Sequence, residues 1–142
     1  MYAIGLELST QSAKSLVLDI ESGKVEHLAS HEYDACLPEY RTEGGVLVSS
    51  DEAVRHTSPL MLIQALDLVF RHLQKDGLDL ARARAIKIDG MQHCTVYVNQ
   101  GFAEALERMD PRQGLLPQLR QTISRRTSPI WEDRSPTREA AY

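Results

Sequence analysis

The segment Gly5-Leu6-Glu7-Leu8-Ser9-Thr10-Gln11-Ser12-Ala13-Lys14 decides the fold class of this chain. It joins two apolar runs, residues 2–8 and 15–20, through a short stretch of small and polar residues. Apolar runs of this length on either side of a polar turn predict two strands. A third strand is predicted at residues 25–33, where apolar and polar residues roughly alternate. The chain therefore opens with three consecutive strands.

Residues 58–77 carry the clearest helical pattern. Ser58 and Pro59 suit the N-cap and the first helical position, and Gly77 suits the end of the helix. We expect one apolar face to pack against the sheet, because its residues recur at offsets of four, seven, eight and eleven. That face consists of Leu62, Leu66, Val69, Phe70 and Leu73.

The rest of the chain predicts a mixed α/β architecture. Hairpins are antiparallel and a helical crossover favours a parallel return, so the prediction is an α/β domain with a mixed sheet. The remaining predicted segments are a loop at 34–57 with a short strand at 46–48, strands at 85–88 and 95–98, and helices at 102–109 and 115–124.

Composition limits the classes of partner. Of the 142 residues, 42% are hydrophobic and 25% are charged, as in an average globular domain. The net charge of −4 provides no field that attracts polyanions, so we expect neither nucleic acid nor a membrane surface as a partner. No apolar run approaches the roughly 18 residues that span a bilayer, which predicts a cytoplasmic protein. Cys36 and Cys94 lie far apart without a CxxC pattern, so neither a disulfide framework nor a zinc site is predicted.

The opening hairpin carries residue types that phosphate chemistry uses. Glu7 lies near a strand end, Ser9 and Thr10 lie in the turn, and Lys14 lies on the returning strand. Turn amides and hydroxyls donate to phosphate oxygens, a carboxylate holds magnesium or its waters, and a lysine neutralises charge. The alternative is an ordinary hairpin whose polar turn faces water.

Two further motifs have the chemistry to bind a polyol. Gln92 and His93 follow a predicted strand, and an adjacent amide and imidazole hydrogen-bond vicinal hydroxyls. The alternative is a loop histidine satisfied by backbone groups. Trp131 and Asp133 offer an indole face for a sugar and a carboxylate that accepts from hydroxyls. The alternative there is a core tryptophan followed by a helix-capping acid.

In combination, these motifs resemble those of the FGGY carbohydrate kinases. The order and rough spacing both match, and the resemblance covers nearly the whole chain. Residues 37–46, 57–59 and 64–67 look most like the xylulokinases of the eukaryotic type. The three matching motifs are Gly5 to Lys14, Gln92-His93, and Ser128-Pro129-Ile130-Trp131-Glu132-Asp133.

The resemblance implies a ribonuclease-H-like fold of the actin, heat-shock and sugar-kinase superfamily. Residues 1–142 would be an incomplete, amino-terminal part of the first domain, without the second, nucleotide-binding domain. The resemblance also implies ATP and Mg²⁺ as cofactors of the complete enzyme and D-xylulose as its substrate. In family members the catalytic aspartate lies downstream, so we expect the chain alone to be inactive and to bind neither cofactor tightly. We also expect association, as a homodimer or otherwise, through its exposed truncated face.

The family's functional residues map onto two groups of positions. The resemblance implies that the opening hairpin faces the ATP phosphates and that Glu7 organises the metal. The implied cofactor residues are Glu7, Ser9, Thr10, Gln11 and Lys14. The implied sugar-pocket residues are Gln92, His93, Trp131 and Asp133, with Glu43 as a further candidate.

The chain also departs from the family pattern. Glu7 replaces the usual aspartate and is one methylene longer, which magnesium coordination at roughly 2.0–2.1 Å tolerates poorly. Lys87 and Ile88 replace a small Ser-Gly type pair, and Cys94 replaces a glycine after the Gln-His motif. We therefore expect weak metal binding at Glu7 and a reshaped sugar loop.

Three hypotheses about function follow. In the first, the chain is part of an ATP-dependent D-xylulose kinase, which transfers a phosphoryl group to the sugar 5-hydroxyl. In the second, it is a non-catalytic, degenerate actin-like domain, which the departures at Glu7, Lys87 and Cys94 favour modestly. In the third, it is part of a related kinase for glycerol, ribulose or gluconate, against which the segment at residues 41–45 argues.

Overall fold

The computed structural model describes residues 1–137, and within them no helix is long and apolar enough to cross a membrane. Its strands are β1 (Tyr2–Leu8), β2 (Ser12–Asp19), β3 (Val25–Glu32), β4 (Thr42–Glu43), β5 (Val46–Leu47), β6 (His56–Thr57), β7 (Ala83–Gly90) and β8 (Ser128–Pro129). Its α-helices are α1 (Tyr33–Cys36), α2 (Pro59–Lys75), α3 (Phe102–Glu107) and α4 (Leu115–Leu119), with 3₁₀ turns at Pro38–Tyr40, Leu80–Arg82 and Arg120–Thr122.

The main sheet has the strand order β3-β2-β1-β7. The first three strands are antiparallel neighbours, and β7 returns parallel to β1 after the crossover through α2. The predicted α/β fold with a mixed sheet is confirmed. β2 begins at Ser12, earlier than predicted, because the turn before it is tight and closes with a hydrogen bond of 3.0 Å from the Ser9 N–H to the Ser12 carbonyl.

The α2 helix covers one face of this sheet. Ser58 Oγ accepts from the Met61 N–H at 3.3 Å, and Pro59 opens the helix, as the sequence predicts. The chain leaves the helix through Gly77, whose φ of +84° favours glycine. The most deeply buried side chains of this interface are Met61, Ala65, Val69 and Leu73 from the helix, and Ile4, Leu6, Ala13 and Val17 from the sheet.

The buried face of α2 is rotated relative to the predicted one. Leu62, Val69 and Leu73 are buried as predicted, but Leu66 and Phe70 are only partly buried. The reason is that α2 packs against α4 as well as against the sheet, so its apolar side chains are divided between two interfaces.

Regular structure is shorter than predicted beyond β7. The predicted strand at residues 95–98 is wrong, because these residues form only one isolated bridge, from Val98 to Ile123. Hydrogen bonds at 2.8 and 2.9 Å tie residues 97–99 to residues 122–124 and leave no longer ladder. The same pairing draws Ile123 into an extended conformation, so the predicted helix at residues 115–124 divides into α4 and a 3₁₀ turn.

The segment from residue 34 to residue 57 is mostly loop, as predicted. Its predicted short strand is β5, which pairs with β4 in a small hairpin. The third predicted strand ends one residue earlier than expected, because Tyr33 begins the helical turn α1 instead and is buried there.

Candidate functional site

The turn at residues 9–11 is held by its own hydrogen bonds and by one buried tyrosine. Ser9 Oγ donates to the Ser12 carbonyl at 2.9 Å, and the Ser12 N–H donates back to Ser9 Oγ at 3.3 Å. The Tyr33 hydroxyl donates to the Ser9 carbonyl at 3.1 Å, and burial raises the pKa of Tyr33, so it stays a donor. The Ser9 hydroxyl is therefore engaged in shaping the turn.

A second loop, residues 42–45, lies directly against this turn. The Asp34 carboxylate accepts from the Thr42 hydroxyl at 2.6 Å and from the N–H groups of Gly44 and Gly45 at 2.6 and 3.1 Å. The Thr42 hydroxyl and then the two amides keep the pKa of Asp34 below its usual value. Gly45, with φ +78°, approaches the Thr10 carbonyl so closely that an added Cβ would lie 1.9 Å from its oxygen. Only glycine fits at this contact.

Four charged side chains, Glu7, Lys14, Lys87 and Asp89, line a cleft on the face of the main sheet opposite α2, which we call the charged cleft. Lys14 Nζ lies 3.2 and 3.3 Å from the two Glu7 carboxylate oxygens. Glu7 is the register partner of Asp89, so both carboxylates belong to the same face of the sheet. The cleft has a volume of about 410 Å³. Gly5, Leu16 and Leu28 also line the cleft, so it extends over the exposed face of the sheet from β7 to β3.

Sequence reasoning misses Asp89 and treats Lys87 only as a departure from the family. The parallel pairing of β7 with β1 brings both residues to the cleft. A charged residue near the end of the strand predicted to return beside β1 is the signal that could have identified Asp89.

Trp131 connects the third sequence motif to the opening turn. Its indole Nε1–H donates to Thr10 Oγ1 at 3.4 Å, across 121 positions in sequence. The side chain is 59% exposed, so the alternative of a core tryptophan is wrong. An indole held at one edge and open to solvent is suited to cover the apolar side of a small ligand.

Asp133 is engaged within the protein. Its side chain is only 7% exposed and accepts from the Arg55 N–H at 3.0 Å and from the Ser135 hydroxyl at 3.1 Å, with His56 Nε2 at 3.6 Å. Burial acts to raise the pKa of Asp133, but these hydrogen bonds keep it below its usual value. The carboxylate ties the Trp131 loop to β6, and its contact with a sugar stays a prediction.

Among residues 1–137, the remaining predicted sugar residues, Gln92, His93 and Glu43, make no hydrogen bond to Trp131 or Asp133. Gln92 and His93 occupy an exposed turn after β7, where His93 has φ +55°, and within residues 1–137 neither side chain makes a hydrogen bond. Cys94 packs partly against the core, and burial raises the pKa of its thiol. Glu43 borders a small cavity of about 100 Å³ and does not line the charged cleft.

A larger cavity, of about 860 Å³, lies between α2 and residues 109–117. Asp67 organises one of its walls by accepting from the N–H groups of Leu115 and Leu116 at 2.7 and 3.1 Å. None of the predicted site residues lines this cavity. Cavity size alone therefore does not identify the predicted site.

The chain is similar in sequence to curated xylulose kinases over nearly all of its length. It is 38% identical over 136 residues to a probable D-xylulose kinase A of Arthroderma otae, covering 96% of this chain. It is 36% identical over 135 residues to xylulose kinase 2 of Arabidopsis thaliana, covering 94% of this chain. The chain spans about 24% of the length of each of these relatives. No protein-family model matches the chain.

Solved structures show the same fold. A xylulose kinase from Rhodospirillum rubrum superposes with a TM-score of 0.64 at 18% identity, covering 99% of this chain and 22% of that structure. A gluconate kinase from Lactobacillus acidophilus superposes with a TM-score of 0.64 at 16% identity, covering 99% of this chain and 21% of that structure. At these identities the likeness concerns the fold alone, which is the predicted fold of the sugar-kinase superfamily.

Proposed function

Since this chain is a homologue of curated xylulose kinases, we propose that it belongs to the FGGY sugar kinases and forms part of the first domain of an ATP-dependent D-xylulose kinase. The proposed reaction transfers the γ-phosphoryl group of ATP to the sugar 5-hydroxyl. The chain spans about a quarter of the length of its relatives, so we expect no turnover by the 142 residues alone.

The hydrogen bond between Trp131 and Thr10 carries this proposal. In a sugar kinase the accepting hydroxyl must lie beside the terminal phosphate, since catalysis of phosphoryl transfer is mostly positioning and charge stabilisation. Trp131 is the proposed sugar residue, and Thr10 belongs to the proposed phosphate turn. Their contact at 3.4 Å joins the two half-sites at one point of the molecule.

The charged cleft suits a nucleotide phosphate with its magnesium ion. Lys14 and Lys87 would neutralise phosphate oxygens, and Glu7 and Asp89 would offer oxygen ligands to the ion or to its waters. Magnesium is usually held by one or two carboxylates together with phosphates and water, so a pair of carboxylates fits this ion. When bound, the ion would neutralise charge on the phosphates. Within residues 1–137 no group of three or more metal-ligating side chains is assembled.

The proposed sugar pocket uses Trp131 as a platform. Gln92 and His93 are exposed and unpaired among the described residues, so their polar groups are available to sugar hydroxyls. Asp133 would act at the same pocket mainly by holding the Trp131 loop, through its hydrogen bond to Arg55. Glu43 remains the weakest member of the proposed set because it borders a different cavity.

A non-catalytic domain is the second candidate function. The observation that favours it is the ion pair between Glu7 and Lys14, which already satisfies the carboxylate that would organise the metal. A related polyol kinase is favoured less, because the gluconate kinase likeness is one of fold alone.

The test is a chimera in which the rest of xylulose kinase 2 of Arabidopsis thaliana follows residues 1–137 of this chain. ADP release measured by a coupled assay should depend on D-xylulose and not on glycerol, ribulose or gluconate. A folded chimera that binds ATP without phosphorylating D-xylulose would contradict the proposed substrate, and one that does not bind ATP would support the non-catalytic domain.

Trp131→Ala in the chimera should raise KM for D-xylulose, because the platform for the sugar is lost. Tyr97→Ala is the matched control, since Tyr97 is also an exposed aromatic residue but belongs to no predicted site. Equal kinetic constants for the two variants would remove Trp131 from the sugar site.

A further inference from the structure

Trp131, the proposed sugar platform, is the second residue of a tight turn. The turn runs from Ile130 to Asp133 and is closed by a hydrogen bond of 3.0 Å from the Asp133 N–H to the Ile130 carbonyl. Both of its ends are attached to the backbone of Arg55. The Ile130 N–H donates to the Arg55 carbonyl at 3.0 Å, and the Arg55 N–H donates to Asp133 Oδ1 at 3.0 Å. Because Ile130 is buried and Trp131 is exposed, the position of the indole depends on how this turn is held.

The side chain of His56 contacts the chain on both sides of Trp131. Its Nδ1 lies 2.8 Å from the Thr127 hydroxyl, before the turn, and its Nε2 lies 3.6 Å from Asp133 Oδ2, at the end of the turn. An ionised carboxylate only accepts hydrogen bonds, so a neutral imidazole would carry its proton on Nε2 and accept from the Thr127 hydroxyl through Nδ1. One ring therefore joins the two segments between which Trp131 lies.

The backbone pairing beside this turn is short. β6 and β8 pair over only two residues each, His56 with Pro129 and Thr57 with Ser128. Two paired strands are marginally stable even at the length of an ordinary hairpin, so two residue pairs hold the turn weakly. We therefore expect the side-chain contacts of His56 to add to the hold that the backbone provides.

We propose that His56 is a positioning residue for the sugar site, which holds the Trp131 turn where the indole Nε1–H reaches Thr10 Oγ1. The hold on the turn follows from contacts among the described residues alone, whereas its consequence for sugar binding rests on the proposed function. Removal of the imidazole should shift the equilibrium between the held and the released turn about 2- to 12-fold toward release, the range that the loss of one hydrogen bond gives.

Trp131 is the only tryptophan of the 142 residues, so its fluorescence reports on the turn directly. In time-resolved anisotropy of the 142-residue chain, His56→Ala should increase the amplitude of nanosecond motion of the indole. His56→Asn should restore most of the unmodified decay, because its amide lies where Nδ1 does and can keep the Thr127 contact. Thr127→Val should resemble His56→Ala, and the double variant should add little, since both changes remove the same contact.

His27→Ala is the matched control. His27 also contacts a hydroxyl and a carboxylate, Ser15 Oγ at 3.2 Å and Asp76 Oδ2 at 3.4 Å, and its side chain is 10% exposed, against 18% for His56. Its partners lie on β2 and at the end of α2, so this variant should leave the anisotropy decay unchanged. With folding checked by circular dichroism, an unchanged decay for His56→Ala, or an equal change for His27→Ala, would overturn the positioning role. Thr127→Val decides the question if His56→Ala does not fold.

Kinetics of the chimera test the consequence for the sugar. His56→Ala should raise KM for D-xylulose about 2- to 12-fold and leave kcat nearly unchanged, because a displaced platform weakens binding of the sugar in the ground state and in the transition state alike. An unchanged KM would overturn the link between His56 and the sugar site. Absence of turnover with D-xylulose in the chimera that retains His56 would instead contradict the proposed function, and the anisotropy would still decide whether His56 holds the turn.

Discussion

Replacing Gly45 with alanine should destabilise the protein more than the same change at a glycine that also has a positive φ but has no atoms close to an added Cβ. Gly45 has φ +78°, and its Cβ would lie 1.9 Å from the Thr10 carbonyl oxygen. The two loops that meet here are the proposed phosphate turn and the segment that Asp34 holds. The substitution should therefore distort the turn at residues 9–11 through the loop that packs against it.

Two contributions set the magnitude. A left-handed conformation costs a non-glycine residue about 1–2 kcal/mol. Relief of the 1.9 Å contact requires the Thr10 carbonyl to move, in a turn anchored by Ser9 and Tyr33. Loss of two of those hydrogen bonds adds about 1–3 kcal/mol at 0.5–1.5 kcal/mol each. The free energy of unfolding should fall by about 2–5 kcal/mol in total.

Gly23→Ala separates the two contributions. Gly23 has φ +71° but no atom within 4 Å of an added Cβ, so it should lose only about 1–2 kcal/mol. Urea denaturation of both variants gives the comparison, provided that the slope with denaturant is unchanged. Equal losses at the two positions would refute the close approach of Gly45 to Thr10.

Three further predictions test other parts of the molecule. His31 lies against His72, and burial, followed by this neighbour, lowers the pKa of His31 below the ordinary 6.5, so the unfolded chain binds the proton first as the pH falls. The contribution of His31 to the free energy of unfolding should therefore be fully present above about pH 6.5 and be lost as the pH drops below it. His31→Gln should reduce this loss when thermal denaturation is measured as a function of pH. Leu73→Ala should lower the free energy of unfolding by about 2–5 kcal/mol in urea denaturation, because Leu73 is fully buried. Phe70→Ala should lower it by less than the roughly 3–5 kcal/mol typical of a buried phenylalanine. A larger loss for Phe70→Ala than for Leu73→Ala would show that the buried face of α2 is not the one described. His93→Ala in the chimera should weaken D-xylulose binding by about 0.5–1.5 kcal/mol in calorimetry, whereas unchanged affinity per folded molecule would remove His93 from the pocket.

Local signals made several elements predictable from the sequence. The hairpin of β1 and β2 follows from two apolar runs around a short polar turn, and its hydrogen bonds join residues three positions apart. The start of α2 follows from Ser58 and Pro59, since an N-cap bond reaches only Met61. The order and spacing of the three motifs also predicted the similarity to xylulose kinases, because they can be read along the chain without knowledge of how it folds back.

Contacts between distant parts of the chain were decided only by the tertiary structure. Residues 95–98 have the composition of a strand, but a strand also needs a partner of equal length, and residues 122–124 provide only a short one. Asp89 reaches Glu7 through the parallel pairing of β7 with β1, and Trp131 reaches Thr10 through a loop held by Asp133. The sequence by itself determined which local elements form and which proteins the chain resembles, because those signals act over a few residues. Which charged and aromatic side chains share one site depended on the path of the whole chain, since residues far apart in sequence meet only after the sheet and α2 have packed.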